Sequence, residues 1–272
     1  MLGDQISDAE FDRLRRFFHT ASGIRLADSK KVLVCGRLAR RLRHHGLDDY
    51  RSYLDLVEAP GQQAERQLAI DLLTTNETHF FREPRHFTLL REELARLLQA
   101  GLRGPVRLWS AACSTGEEPY SLAMTLAETL GERPWKVHAS DLSARVLADA
   151  QAGIFNAQRA AEVPAALSQR YLLEGFDECA GLYRVEPGLR QRVSFQQINL
   201  MEPLPALEPF DAIFLRNVLI YFDNAAKKRI VEAVVQQLRP GGLLFIGHSE
   251  TLNGITEVVR AVVPTVYRRS AA

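Results

Sequence analysis

The sequence predicts an α/β protein in two parts: an N-terminal all-helical module, then a doubly wound domain on a mostly parallel sheet. Three observations carry this. Residues 106–124, VRLWSAACSTGEEPYSLAM, read as buried strand, tight turn and helix, the opening move of a doubly wound sheet. Short apolar runs then alternate with helical patterns as far as residue 247. Before them, residues 7–73 show helical periodicity alone.

In chain order, Ser7 and Glu10 form a capping box, and Phe11, Leu14, Phe17 and Phe18 follow on one face of a helix ending near Gly23. A second helix begins at Ser29, with Val34, Cys35, Leu38 and Leu42 on its apolar side. Its other side carries Lys30, Arg37, Arg40, Arg41 and His44 at helical spacing, with Arg43 beside them. Almost no acid lies within a turn of this stripe. A solvated face is one reading; a surface for an acidic helical partner or for nucleic acid is the other. Residues 47–58 and 63–73 supply two more helices. Nothing in this quarter offers catalytic chemistry.

Residues 74–84, TTNETHFFREP, break the helical pattern. A helix cap with a hydrophobic staple is one account. A lid in which Asn76 and Thr78 bind a ligand and Arg82 faces a reaction centre is the other. His79 and His86 have no partner at metal-ligand spacing, so they are assigned to packing or surface and no metal site is expected. An amphipathic helix follows at 87–98, and the opening strand starts at Val106.

A second strand, 135–140, ends in Asp141, and Ser143 caps a helix running to Gly153. Residues 193–198 alternate as a third main strand and stop at Asn199 and Leu200. The fourth, 210–215, runs into Arg216, Asn217 and Tyr221. A helix at 225–238, a turn through Arg239, Pro240, Gly241 and Gly242, and a fifth strand at 243–247 come next. Residues 258–268 read as a terminal antiparallel hairpin interrupted at Pro264. His248 and Glu250, at a strand end, either line the cleft or sit in a surface turn. Residues 171–195 do not fit this plan: strand-like runs at 171–173, 182–185 and 192–195 suggest a small antiparallel insert.

The opening loop is not a phosphate cradle. Close approach to a pyrophosphate wants several glycines, whereas Gly116 stands alone and Glu117 and Glu118 follow it. Two carboxylates suit the helix dipole and would repel phosphate. They suit a ligand with a positive centre, an amine and hydroxyls, such as S-adenosylmethionine; a plain helix-start preference is the alternative. Asp141 stands where a carboxylate would hold ribose hydroxyls, unless it serves only the turn before Ser143. Asn199 and Leu200 could bracket an adenine.

Bulk properties narrow the classes. With 46% apolar and 25% charged residues the chain is of ordinary globular composition, and a net charge of +1 marks no global nucleic-acid or membrane binder. Three scattered cysteines build no disulfide framework and fit a reducing compartment. The opening MLGDQISDAEF lacks an apolar signal region, and no run approaches membrane-spanning length, so a cytoplasmic location is expected. A dinucleotide-binding dehydrogenase would want G-x-G-x-x-G, which is absent. A nucleic-acid methyltransferase would explain the basic helix, but it usually has a more basic chain and more aromatics than the 8% here. A non-catalytic scaffold that binds S-adenosylmethionine or a signalling partner is the third alternative.

Taken together, TTNETHFFRE, RLWSAACSTGEEPYSLAM, ASDLSARVLADAQAGIF, FDAIFLRNVLIYFD and LRPGGLLFIGHSE resemble the CheR-type chemoreceptor glutamate methyltransferases, in family order and over nearly the whole chain. The resemblance implies a helical substrate-recognition domain at 1–75 and a Rossmann-like class I methyltransferase domain at 76–272, with an inserted β-subdomain at 168–195. It implies transfer of methyl from S-adenosylmethionine, leaving S-adenosylhomocysteine, to glutamate side chains on the cytoplasmic helical bundle of chemoreceptors. By the same resemblance Asn76, Thr78, Arg82, Glu118, Asp141, Asn199, Leu200, Arg216 and Asn217 contact the cofactor. Arg82 and Tyr221 face the methyl group, and Arg37, Arg40 and Arg41 read the receptor. Some receptors would dock a C-terminal tether peptide on the insert; its loop here, 175–181, is acidic and disfavours an acidic tether. A monomer without nucleic acid, membrane insertion or metal is expected.

Overall fold

The computed structural model describes residues 6–270. Part of the stretch read as lacking a targeting segment, residues 1–5, lies outside the described residues. The chain divides into two compact units. One runs to Thr75 and takes in Tyr221–Ala226; the other comprises Asn76–Ile220 and the chain from Lys227 onward.

The first unit contains α1 (Asp8–Ser22), α2 (Lys31–His44), α3 (Tyr50–Glu58) and α4 (Gln63–Leu73). The capping box is formed: Ser7 Oγ accepts from Glu10 N–H at 3.3 Å, and Glu10 Oε2 accepts from Ser7 N–H at 2.8 Å. Gly23 ends α1 in the left-handed region. α2 starts two residues later than the pattern suggests, because Asp28–Lys30 forms a 3-10 turn first. α3 starts at Tyr50 rather than Leu47 because Asp49 takes the cap, its carboxylate accepting from Ser52 N–H at 2.7 Å.

The basic stripe on α2 is narrower than the sequence suggests. Glu65, almost fully buried on α4, accepts from Arg41 Nε and from Tyr53 Oη at 2.9 and 2.8 Å, and the Arg41 Nη2 and His45 Nε2 atoms lie on its other oxygen. Arg37 donates to the carbonyls of Leu72, Leu73 and Thr74 at 3.1, 3.2 and 2.8 Å, where a cation neutralises the C-terminal end of α4. Arg37 and Arg41, expected with Arg40 to read a partner, make these contacts inside their own unit. A charge on the helix face nearer the core finds a buried partner, which periodicity alone does not reveal. Arg40, Arg43 and His44 remain exposed, beside Val32 and Gly36.

The second unit runs α5 (Arg85–Gln99), β1 (Val106–Ser110), α6 (Glu117–Leu130), β2 (Trp135–Asp141), α7 (Ala144–Ala152), β3 (Ile154–Asn156), α8 (Ala157–Ala160), α9 (Ala165–Tyr171), β4 (Leu172–Glu174), β5 (Leu182–Val185), α10 (Pro187–Arg190), β6 (Val193–Gln197), β7 (Phe210–Phe214), α11 (Asn224–Gln236), β8 (Leu238–Phe245), β9 (Val259–Val263) and β10 (Val266–Arg269). The first residues of α11 fall in the other unit. Seven strands form one sheet in the order β6-β2-β1-β7-β8-β10-β9. The first five are parallel, and β10 and β9 close the edge as an antiparallel hairpin. The central strands β1 and β7 are buried almost throughout, as a sheet covered on both faces requires. Trp109 is fully buried and donates its Nε1–H to Ser140 Oγ at 2.9 Å; Phe214 stacks on Phe245 with centroids 4.3 Å apart.

Two strand assignments change. The small antiparallel sheet is β3-β5-β4, so its third strand is Ile154–Asn156 and not residues 192–195. Val193 and Phe195 pair parallel with Val137 and Ala139 in the main sheet, and one run cannot serve both ladders. The insert span of 168–195 therefore covers only two of the three strands. Arg239–Gly242, read as a turn, lies inside β8, where the register against β7 shifts between Phe210 and Ala212. Pro240 is tolerated at this irregularity because a bulge does not need its missing N–H. No helix among the described residues is long and apolar enough to cross a membrane.

Burial alone would raise the pKa of Glu65, but hydrogen bonds from Arg41, His45 and Tyr53 outweigh it and hold the carboxyl at about 2. Its folded pKa is thus below its unfolded value. The stabilisation is fully present above the ordinary carboxylate pKa and is lost as pH falls from about 4.5 through about 2. Urea midpoints measured from pH 6 to pH 2.5 should fall less steeply for Glu65→Gln than for the parent. At pH 7 the variant should be less stable by about 3 kcal/mol, since Arg41 loses its buried partner.

Candidate active site at the sheet switch point

β1 lies between β2 and β7, so the strand order reverses beside it, the point where a doubly wound sheet takes its ligand. From Ser110 the chain turns through Cys113, Ser114, Thr115 and Gly116 into α6. Gly116 has φ of 102°, and a Cβ there would press on Ala150 at 3.0 Å. Asp141, at the end of β2, ties this loop down: one carboxylate oxygen accepts from Ser114 N–H at 2.9 Å and the other from Ser143 N–H at 3.0 Å. Ser114 Oγ donates to the Asn76 carbonyl at 2.9 Å, bringing the junction segment onto the loop.

The two adjacent acids diverge. Glu117 is wholly buried, pairs with Arg159 of α8 and accepts from Thr115 Oγ1 at 2.8 Å. Glu118 accepts from Ser110 Oγ at 2.6 Å and from Arg216 Nη1 at 2.8 Å, joining the ends of β1 and β7. Burial raises the pKa of both.

Arg216, 5% exposed, is the centre of a wider network. Its Nη2 donates to the Arg82 carbonyl at 2.6 Å and to Glu83 Oε2 at 2.9 Å. Glu83 Oε1 accepts from His248 N–H at 3.0 Å and Asn217 Nδ2 at 3.4 Å. Burial would raise the Glu83 pKa, but the His248 N–H and the Arg216 guanidinium outweigh it and hold the carboxyl at about 2. Asn217 adopts the left-handed region, φ 56°, and its N–H donates to Glu250 Oε2 at 2.9 Å. Glu250 also accepts from Gly247 N–H at 2.6 Å, and burial pushes its pKa up. Gly247 is required by close approach: a Cβ there would collide with Asn217 Nδ2 and lie 2.9 Å from the Asn217 backbone nitrogen.

The remaining candidates fall as follows. Arg82 is half-buried and donates to the Glu77 carbonyl at 3.1 Å; Thr78 is half-buried nearby in sequence. Asn199 closes its own turn, accepting from Met201 N–H at 3.0 Å and donating to Glu202 at 3.1 Å, and Leu200 beside it is buried. Tyr221 ends a 3-10 turn and belongs to the first unit, where its carbonyl accepts from Arg25 N–H at 3.2 Å. Hydrogen bonds thus gather Arg82, Glu118, Arg216 and Asn217 into one group, and Asn76 and Asp141 into another, around the loop that follows β1.

Sequence reasoning missed one member, Glu83. Glu83 was read only as part of a polar run, whereas Glu250 was left either lining the cleft or in a surface turn, and here it is buried on the Asn217 and Gly247 backbone. Sequence reasoning also expected no partner for His86. The fold brings His86 and His248 against Glu83, their ligand atoms within 4.8 Å of one another. Arg216 already neutralises that carboxylate, and burial, with the nearby Arg216 charge, holds the His86 imidazole at about 4. His86 therefore reads as a neutral ring packed on a paired acid.

Acids rather than glycine backbone stand at the switch point, and two of them, Glu118 and Asp141, come from neighbouring loop ends. That donor set fits a ligand with a positive centre, an amine and hydroxyls. A parallel sheet closed by a terminal antiparallel hairpin, with this acid-lined loop, defines a class I S-adenosylmethionine-dependent methyltransferase. Residues 76–268 match the model for the CheR methyltransferase SAM-binding domain, and residues 9–74 that for the CheR methyltransferase all-alpha domain. The chemotaxis protein methyltransferase of Salmonella typhimurium is 44% identical over 97% of this chain and 91% of its own. The corresponding figures are 44%, 97% and 92% for that of Escherichia coli, and 46%, 95% and 92% for chemotaxis protein methyltransferase 2 of Pseudomonas aeruginosa. The chain belongs to the CheR methyltransferase family.

Gly247→Ala should cost about 1–3 kcal/mol by overpacking against Asn217. A thermal melt should show the midpoint lowered by several degrees; an unchanged midpoint would contradict the close approach.

Proposed function

We propose that this protein transfers methyl groups from S-adenosylmethionine to glutamate side chains of chemoreceptors, forming glutamyl methyl esters in sensory adaptation in the cytoplasm. The observation that supports it most is the 44–46% identity, over 95–97% of the chain and across both units, to proteins named chemotaxis protein methyltransferases.

S-adenosylmethionine, when bound, supplies an electrophilic methyl on a sulfonium. We assign its methionine portion to Glu118, its ribose to Asp141 and its adenine to Asn199 and Leu200. Asn76, Thr78, Arg82, Arg216 and Asn217 complete the wall. A glutamate carboxylate is ionised near neutral pH, so the site needs no strong general base. The work left to the protein is alignment and exclusion of water, and alignment alone lowers such barriers by roughly 7–11 kcal/mol in favourable cases. Arg82 holds one oxygen of the incoming carboxylate in this reading, and the Tyr221 hydroxyl is the second catalytic group. The exposed Arg40, Arg43 and His44 on α2 suit the acidic face of a receptor bundle. A monomer without nucleic acid or tether peptide suffices.

Labelled methyl should pass from S-adenosylmethionine to a receptor cytoplasmic fragment as a base-labile ester. Arg82→Ala should lower kcat by about 100-fold or more while S-adenosylmethionine affinity, read by calorimetry, falls far less. Equal losses would remove Arg82 from the reaction centre. Arg40→Glu should raise KM for the receptor with kcat kept, the effect shrinking as salt rises; a salt-independent KM would contradict the basic face.

A further inference from the structure

We propose that Glu83 is a positioning residue for Arg82: it holds the backbone turn that aims the guanidinium, while touching neither reactant. The inference rests on the proposed role of Arg82. Backbone geometry supplies the first observation. Phe81 and Glu83, on either side of Arg82, both adopt the left-handed region, with φ of 52° and 58°. Side chains larger than glycine's resist that region by about 1–2 kcal/mol per residue, and such turns persist only where surroundings enforce them.

The enforcing contacts are visible on both sides. Before Arg82, Phe80 N–H donates to Glu162 at 3.1 Å and Phe81 N–H to Ser121 Oγ at 3.0 Å. After it, one nitrogen of Arg216 reaches both the Arg82 carbonyl and the Glu83 carboxylate, at 2.6 and 2.9 Å. The other Glu83 oxygen takes the His248 N–H and the Asn217 amide. Glu83 thereby pins the chain to the ends of β7 and β8 one residue beyond Arg82. Arg216 is shared with Glu118 on its other nitrogen, so losing the Glu83 charge leaves the guanidinium paired on one side only. Arg82's side chain reaches the Glu77 carbonyl, within the same short segment, so its direction follows the backbone of that segment.

The test is a double-substitution cycle with two readouts, transfer kinetics and hydrogen exchange of the 79–85 amides in the protein without ligand. Glu83→Gln keeps the shape and removes the charge. It should lower kcat by about ten-fold, with a smaller change in S-adenosylmethionine Kd. In the Arg82→Ala background it should lower kcat by less than about two-fold further, because it acts through Arg82. Exchange in 79–85 should quicken. Multiplicative losses in kcat, or unchanged exchange, would overturn the proposal. If Arg82→Ala itself leaves kcat intact, the catalytic assignment of Arg82 fails, whereas the exchange readout still decides whether Glu83 holds the segment. Should Glu83→Gln melt below the assay temperature, Glu83→Asp, which keeps the charge on a shorter arm, is read in the same cycle.

Discussion

The buried guanidinium of Arg216, held between the carboxylates of Glu118 and Glu83, joins the ends of β1 and β7 to the junction segment. A charge so placed is costly unless every partner is present, because desolvation of the ion competes with its pairing. Each partner comes from a different part of the chain: α6 after β1, the segment before α5, and Arg216 itself just past β7. Asn217 and Glu250 extend the same group to the end of β8. The sheet fixes where these ends stand, and the ion network fixes what the loops do there.

Strain is concentrated in the same place. Among the described residues, Phe81, Glu83, Ser114 and Asn217 are four of the six non-glycine residues with positive φ. All four sit in loops that leave or meet the carboxyl ends of the central strands. Ser114 is held by Asp141, Asn217 by Glu250, and Glu83 by Arg216. Three of the four are thus matched by a hydrogen bond with a buried or half-buried charged group, and Phe81 by one to the Ser121 hydroxyl, so the loops keep shapes their side chains would not choose alone.

Much of this was legible in the sequence. The capping box at Ser7, the strand, turn and helix from Val106, and the terminal hairpin follow from local rules that tertiary packing reinforces. The acids after Gly116 were informative because a phosphate loop would forbid them. What stayed hidden was the long-range partnering of charge. Arg37 and Arg41 look like surface residues until Glu65 of α4 and the carbonyls of Leu72, Leu73 and Thr74 meet them. Glu83 looks like part of a polar run until Arg216, 133 residues later, reaches it. The third strand of the small sheet was missed because residues 193–197 satisfy the strand pattern equally well, and only the β2 register assigns them.

The helical unit is not one continuous stretch of chain. Its last piece, Tyr221–Ala226, arrives after the whole central sheet up to β7, and Arg25 binds it through the Tyr221 carbonyl and through Asp223 at 2.9 Å. During synthesis the first 75 residues therefore leave the ribosome with part of their own surface still untranslated. The boundary at Thr75, where the two family segments meet, is a seam in sequence but not a place to cut: excising the front module there strands Arg25 and leaves behind the segment that completes it.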